Sequence, residues 1–373
     1  RASGSSVGAD RFGKLEFSAA ATCSRRTIMQ RLITHSARRL STTTTSSSSL
    51  AALVAAGKPS DIALLAPQQG IAWTYEEFDN KARKLAGGLE DLGYDKGSVV
   101  ISDVPNTAEN LLLQTAFAHI GASIATLPKS QEAFNKLVSE YDVRGVICVD
   151  GTSEIATAIP RAILRRGVVS SRPVMPTIHI DVASGERSAG GSVPFEELYT
   201  HAPPRGDPPL ATDDMMLGNF GGAALSHGQA FAMGTDAASK LSLTSSDRVC
   251  CSVTLMHAFG IGSAVTSALS VGGAVVLPAV GGIRGCGNPS QRASVTMEVL
   301  ASTGATVLFG DTHTLKAMAA EEGSAPATKL RTGVVKIGSG ATFLDGVTEA
   351  PQKDGNPLKL EWQGVKFVAI GKA

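Results

Sequence analysis

The sequence predicts an α/β fold with doubly wound parallel sheets arranged in two lobes. Three observations carry that expectation. Short apolar runs alternate with helix-length amphipathic segments between 74 and 149. A proline-rich stretch, HAPPRGDPPL (201–210), interrupts the series. The alternation then resumes between 214 and 337. Strands separated by helices of this length join through parallel β-α-β crossovers, so two such series predict two parallel sheets. The expected division is a targeting or disordered segment over 1–50, a first lobe over 51–200, the linker 201–210, and a second, incomplete lobe over 211–373.

The first series opens on TYEEFDNKARKLAGGLEDLG (74–93). Phe78, Ala82, Leu85, Ala86, Leu89 and Leu92 form one apolar stripe at helical spacing. Thr74 with Glu77 makes a capping box, and Gly93 is a C-terminal stop. SVVIS (98–102) reads as a short buried strand, TAENLLLQTAFAHIG (107–121) as a helix closed by glycine, and SIATL (123–127) as a strand. SQEAFNKLVSEY (130–141) is the next helix and RGVICV (144–149) the next strand. The second series reads strand 214–218, a glycine-bearing stretch GNFGGAALSHGQ (218–229), helix 227–240, strand 248–254, helix 259–271 and strand 274–277. GGIRGCGNPS (281–290) reads as a surface insertion. Helix 291–302, strand 305–309, helix 312–321, strand 331–337 and a last strand VKFVAI (365–370) follow. No internal repeat appears.

Composition narrows the function. The chain of 373 residues is 43% hydrophobic and 18% charged, with a net charge of +1, which gives no electrostatic case for nucleic acid. Aromatics at 5% argue against a base-stacking platform. The five cysteines, at 23, 148, 250, 251 and 286, form no C-x-x-C and read as buried thiols of a reducing compartment. Cys250 and Cys251, adjacent in a strand, point to opposite faces. No apolar run spans a bilayer, since the best candidate, Ile261–Leu277, is broken by Ser263, Thr266, Ser267, Ser270 and a Gly-Gly pair. His119, His227 and His313 show no metal-ligand spacing, and no Ser-His-Asp constellation can be assigned.

The first residues differ in chemistry. No acidic residue lies between Glu16 and Asp61, a window holding Arg25, Arg26, Arg31, Arg38, Arg39 and Lys58 and a Ser/Thr run over 41–49. In MQRLITHSARRLSTTTT (29–45), Arg31, His35, Arg38 and Arg39 share one helical face, and Met29, Ile33, Ala37 and Leu40 the other. A basic, acid-free amphipathic helix predicts a mitochondrial transit peptide, and so a protein of the matrix or the matrix face of the inner membrane.

The order of segments resembles the large N-terminal domain of the adenylate-forming superfamily, which includes acyl-CoA synthetases. The resemblance is a series: WTYEEFDNKARKLAGGLEDLGYDKGSVVISDVPNTAENLLLQTAFAHIGASIATLP (73–128), SVTLMHAFGIGSAVTSALSVGGAVVLP (252–278), GATVLFGDTHTLKAM (304–318) and LRTGVVKIGSGATF (330–343). It covers about residues 52–370. It implies a fold like that N-terminal domain, with the family's small C-terminal domain missing from these residues. The implied chemistry is activation of a carboxylic acid by MgATP to an acyl-adenylate, with transfer to coenzyme A in most members. Catalysis there is mainly charge neutralisation and positioning.

The resemblance also locates site residues. The family's phosphate loop is a Ser/Thr/Gly run ending in Pro-Lys-Gly. Here GNFGGAA stands in its place, with Gly218, Gly221 and Gly222 as backbone N–H donors and neither the hydroxyl cluster nor the lysine. Gly340 and Ala341 match the family's adenine-side Gly-Ala, with Thr342 where it has proline and Ser339 where it has glycine. His257 matches the histidine beside the family's acyl pocket; taken as a residue alone, it reads as a hydrogen-bonded structural histidine. The family's Tyr-Gly-x-Thr-Glu motif, ribose aspartate and mobile lysine have no counterparts up to Ala373. Lys336, in a predicted strand, is expected to face outward.

The expectation is therefore a catalytically degenerate family member, with no catalytic residue, metal or cofactor, serving as a structural or accessory subunit with protein partners in a larger mitochondrial complex, for instance one of the respiratory chain. The first alternative is an active acyl-CoA synthetase using ATP, magnesium and coenzyme A, represented by an incomplete sequence. The second is a binding module that keeps an acyl or nucleotide pocket.

Overall fold

The computed structural model describes residues 48–128, 130–149, 177–179, 192–204, 216–220, 223–278, 288–337, 352–353, 356–357 and 360–371. The chain divides after Thr45 into two compact units. The basic amphipathic stretch 29–45 lies outside the described residues, and everything below concerns the unit Ser46–Ala373.

The strands in chain order are β1 (Ile62–Ala66), β2 (Ile71–Thr74), β3 (Ser98–Ser102), β4 (Ser123–Thr126), β5 (Asp142–Cys148), β6 (Thr177–His179), β7 (Ser192–Pro194), β8 (Met216–Phe220) and β9 (Ala223–Ser226). Then come β10 (Arg248–Cys251), β11 (Ala274–Val276), β12 (Val307–Asp311), β13 (Thr332–Ile337), the short pairs β14 (Gln352–Lys353) with β15 (Asn356–Pro357) and β16 (Glu361–Trp362) with β17 (Val365–Lys366), and β18 (Val368–Gly371). The helices are α1 (Leu50–Ala56), α2 (Tyr75–Asp91), α3 (Ala108–Ile120), α4 (Gln131–Glu140), α5 (His227–Lys240), α6 (Thr266–Ser270), α7 (Pro289–Thr303) and α8 (Thr312–Ala320).

Two seven-stranded sheets form, in the orders β7-β6-β5-β3-β4-β8-β9 and β18-β13-β12-β10-β11-β1-β2. Neighbours pair in parallel except at one edge of each sheet, where β8 turns back on β9 and β1 on β2. This is the doubly wound α/β class that the alternation predicts. The sheets do not part at the proline-rich linker, however. β8, beyond it, pairs with β4 in the register Ile124↔Gly218, and β1, far before it, pairs with β11 in the register Leu64↔Val275. The chain thus exchanges a hairpin between its two halves in each direction.

Packing explains the exchange. The largest hydrophobic cluster joins apolar residues of α1, α2, α3, α5 and α6 to one face of both sheets, from Val100, Ile124 and Ile147 to Leu64, Val249 and Phe309. These helices form a shared central layer. α7 and α8 cover the other face of the second sheet around Leu308 and Val335, and α4 covers that of the first around Ile101 and Val146. Strands buried on both faces read as continuous apolar runs, which is how SVVIS reads. Cys250 and Cys251 fall in different clusters, on opposite faces as expected.

Local signals set most boundaries. Thr74 and Glu77 form the capping box of α2, with Glu77 N–H donating to Thr74 Oγ1 at 3.2 Å and Thr74 N–H to Glu77 Oε2 at 2.9 Å. Ser226 and Gln229 form a second box that starts α5. Gly121, at φ 72°, closes α3 in the left-handed region that glycine adopts without strain. Ser49 caps α1 through the Ala52 N–H at 3.1 Å, which starts the helix at Leu50. The expected α-helix 259–271 is instead a π-helix over Phe259–Val265 running into α6. Among the described residues, no helix is long and apolar enough to cross a membrane.

Candidate functional site

In an open parallel sheet, ligands bind beyond the carboxyl ends of the strands. Here those ends belong to β10, β12, β13 and β18, and His257 sits in the segment that leaves β10. Its ring is half-buried and fixed twice. Phe259 N–H donates to Nδ1 at 3.0 Å, and Lys336 Nζ lies 3.0 Å from Nε2. Burial, and secondarily the charge of Lys336, lower the imidazole to about 4. The expectation that Lys336 faces outward is corrected: it turns from β13 onto the histidine and is itself half-buried.

The segment carrying His257 is clamped from the other sheet. Asn106, between β3 and α3, donates from Nδ2 to Val253 O at 2.6 Å and accepts the Leu255 N–H at Oδ1 at 2.6 Å. Gln114 on α3 reaches Leu255 O at 3.4 Å and Asn110 Oδ1 at 2.9 Å. A π-helix then begins at Phe259, two residues after His257, and such insertions in helices are frequent at functional sites. Gly260, in its first turn, sits so close to Thr254 O that a Cβ would collide with it.

Next to Lys336 along the sheet lies an ion pair. Arg292 on α7 donates from Nη2 to Asp311 Oδ2 at 2.9 Å and from Nε to Thr314 Oγ1 at 2.6 Å. Asp311 ends β12, pairs in register with Lys336, and caps α8 through the Thr314 N–H at 2.8 Å. Ser252 and Thr296 share a hydrogen bond of 2.6 Å behind it.

The other expected site residues are placed as follows. Gly218 lies inside β8, opposite Ile124 on β4 and Leu225 on β9, rather than in a loop. A Cβ there would strike the Phe220 ring and come within 2.9 Å of Ile124 O, so the glycine serves strand packing. Gly221, Gly222, Gly340 and Ala341 lie outside the described residues. The flanks of the first pair are informative: Phe220 and Ala223 are register partners in the β8–β9 hairpin, so only Gly221 and Gly222 connect the two strands. Among the described residues, no group of three His, Cys, Asp or Glu is placed to hold a metal ion. His227, on α5, is buried and accepts the Leu50 N–H at Nδ1 at 3.2 Å, and its burial lowers it to about 4.

The residue alone did not reveal Lys336 as part of the site. A usable signal was present: a lysine in GVVKI, a strand otherwise apolar on both faces, needs a polar partner or an opening. The clamp by Asn106 joins positions 149 apart and leaves no local trace.

Two parallel-dominated sheets around a shared helical layer, with a histidine at the carboxyl edge, define the class: an adenylate-forming N-terminal domain. The family model described as AMP-binding enzyme matches residues 52–349, and the chain belongs to that family. YngI of Bacillus subtilis (strain 168), named as a candidate acyl-CoA synthetase, is 27% identical over 241 residues, which are 58% of this chain and 44% of that protein. 4-Coumarate–CoA ligase 3 of Oryza sativa subsp. japonica is 26% identical over 226 residues, 57% of this chain and 38% of that one. The chain therefore spans under half the length of these curated relatives. Among solved structures, the anthranilate CoA ligase AuaEII in complex with anthranoyl-AMP superposes with a TM-score of 0.60 at 16% identity, covering 78% of this chain and 55% of its own. MbtA of Mycobacterium smegmatis gives 0.59 at 18%, covering 79% and 53%. At such identities the superpositions show the fold.

Proposed function

We propose that this acyl-CoA synthetase-like chain has lost adenylating activity and works as an accessory subunit, with protein partners, in a larger mitochondrial assembly. One observation carries the loss of activity: the pairing of Phe220 with Ala223 leaves Gly221 and Gly222 as the whole connection where the family places its phosphate loop. Two glycines carry no hydroxyl and no cation. A polyphosphate held by backbone N–H groups alone is bound weakly against water. The basic, acid-free residues before 50 support the mitochondrial address. On this reading no ATP, magnesium or coenzyme A is required.

The test takes the natural full-length protein. MgATP binding is measured by calorimetry, carboxylate-dependent pyrophosphate exchange is assayed with aryl and fatty acids, and the particle carrying the chain in mitochondria is weighed. The expected results are no MgATP binding, no exchange, and a large particle of fixed stoichiometry. Exchange with any acid, or a free monomer, sinks the proposal.

A second reading is an ATP-dependent acyl-CoA synthetase that forms an acyl-adenylate and then a thioester, with ATP, magnesium and coenzyme A as its cofactors. Its support is family membership together with a chain that spans 44% and 38% of its curated relatives. Exchange activity in the full-length protein would establish it.

A further inference from the structure

Lys81 folds onto aromatic rings rather than onto a carboxylate. Its Nζ, on α2, lies 5.2 Å from the ring centre of Trp73 and 5.9 Å from that of Tyr199. Both distances are within the reach of a cation–π contact. Among the described residues, no carboxylate pairs with this ammonium. Trp73 stands on β2, an edge strand of the second sheet, and Tyr199 on the 3₁₀ turn Phe195–Thr200 that packs against α2 at Gly88. Both rings are half-buried, as is Lys81. Each ring has a fixed neighbour in the core: buried Phe195 meets Tyr199 edge-on at 5.2 Å between ring centres, and buried Phe78 lies 6.1 Å from Trp73.

The rim of this slot is acidic. Burial, and then the charges of Glu109 and Glu196, push the Tyr199 phenol up, so both carboxylates stand near that ring. Glu109 accepts from Gln69 Nε2 at 3.0 and 2.8 Å and meets no cation; Glu196 is exposed and meets none either. Glu76 and Glu77, in the first turn of α2, follow Trp73 closely in the chain. The rings and these carboxylates together suit a cation, and Lys81 fills that place from within the chain.

We propose that Trp73 and Tyr199 form a docking slot for an arginine side chain of a basic partner polypeptide, and that Lys81 is an internal occupant which that arginine displaces. A guanidinium is planar and weakly hydrated, so it stacks on a ring face better than an ammonium does. Lys81, once displaced, returns to water, where an ammonium is strongly hydrated. A partner segment approaching the β2 edge meets the carboxylates of Glu76, Glu77, Glu109 and Glu196, which complement a basic chain and repel an acidic one. The inference rests on the accessory-subunit reading for the existence of a protein partner, and it adds the surface and the chemistry by which that partner docks.

The experiment titrates the full-length protein with an octa-arginine peptide by calorimetry at about 0.15 M salt, with octa-lysine and octa-glutamate as controls. Octa-arginine is expected to bind at one site, octa-lysine more weakly and octa-glutamate not at all. Removing the internal occupant with Lys81→Ala is expected to tighten octa-arginine about two- to fivefold, which a slot used only for internal packing would not do. Tyr199→Phe keeps the ring and should bind as before, whereas Tyr199→Leu and Trp73→Leu should abolish binding. Should the leucine variants fail to fold, Glu196→Gln, at an exposed position, should still weaken octa-arginine measurably. No octa-arginine binding, or binding that Lys81→Ala leaves unchanged, overturns the proposal, and equal affinities for octa-arginine and octa-lysine overturn the arginine assignment. Self-association of the protein that octa-arginine reverses assigns the slot to a second copy and overturns the separate partner. A free monomer in mitochondria would sink the subunit reading alone, and absent octa-arginine binding the slot alone.

Discussion

Arg331 grips Asp247 with two donors, Nε on Oδ1 and Nη2 on Oδ2, each at 2.9 Å. The pair sits at the amino-terminal edge of the second sheet, opposite the candidate site. It ties the residue before β10 to the residue before β13, while Thr306, before β12, adds its hydroxyl to Oδ1 at 2.7 Å. Arg331 also donates to Leu241 O and Ser242 O at 3.0 Å, joining the end of α5. One carboxylate thus aligns three parallel strands. Burial alone would raise it, but Arg331, Thr306 and the Thr244 N–H outweigh burial and hold it at about 2. An unfolded aspartate titrates near ~3.9. The pair therefore stabilises the fold above about pH 4, and that contribution is lost as pH falls towards 2. Asp247→Asn is expected to cost about 2 kcal/mol in urea unfolding at neutral pH, since it removes the negative charge opposite Arg331 and one of its two carboxylate acceptors, and to flatten the acid limb of the stability profile.

Two histidines set a different acid window. His227 and His257 are each held near about 4, both chiefly by burial. An unfolded histidine titrates near ~6.5. Between those values the unfolded chain binds protons that the folded chain refuses, so stability falls as pH drops from about 6.5 to 4, with a slope approaching about two protons. His227→Leu is expected to halve that slope. It also removes the acceptor for the Leu50 N–H, which lowers stability equally at all pH and speeds amide exchange across α1. A slope unchanged in the variant would show that His227 titrates normally in the folded protein.

The elements that the sequence revealed are those with local causes. The capping box at Thr74, the glycine stop at Gly121 and the apolar stripe of α2 act within a few residues, and each stands where it was expected. What stayed hidden depends on distant partners. β1, IALLA, is too short to show a period, and it is a strand because β11 lies beside it. The hairpin β8–β9 belongs to the first sheet through pairing with β4 across a separation that no local pattern records. FGIGSAV reads as an α-helix by composition; its π geometry accompanies the close approach of Gly260 to Thr254 and a Thr266 hydroxyl bonded five residues back to Ile261 O at 2.9 Å. The family resemblance matched His257 to a histidine beside an acyl pocket, but its place at the carboxyl edge and its contact with Lys336 came only with the fold.

Asn106 tests whether that site depends on the first sheet. Its carboxamide replaces a missing strand for the Val253–Leu255 backbone, satisfying one acceptor and one donor at once. Asn106→Ala strands both groups and is expected to cost about 2 kcal/mol. Asn106→Asp keeps the acceptor for Leu255 but sets a carboxylate against Val253 O, so it should be no better than alanine. Exchange mass spectrometry of residues 252–258 checks the mechanism: faster exchange confined to that segment is expected, whereas uniform loss across the second sheet would mean the clamp supports the whole fold.

Gly218 separates a packing role from a phosphate-binding one. Its missing Cβ makes room for the Phe220 ring and for Ile124 O across the β4–β8 ladder. Gly218→Ala therefore forces β8 away from β4 or the ring out of place, and overpacking of this kind costs about 1–3 kcal/mol. Phe220→Ala in the same chain opens the space and should recover part of that loss, less the apolar burial that the ring contributes. Recovery of this kind marks the glycine as a packing residue of the hairpin. A Gly218→Ala variant of unchanged stability would instead mean that β8 does not lie against β4 as tightly as its register requires.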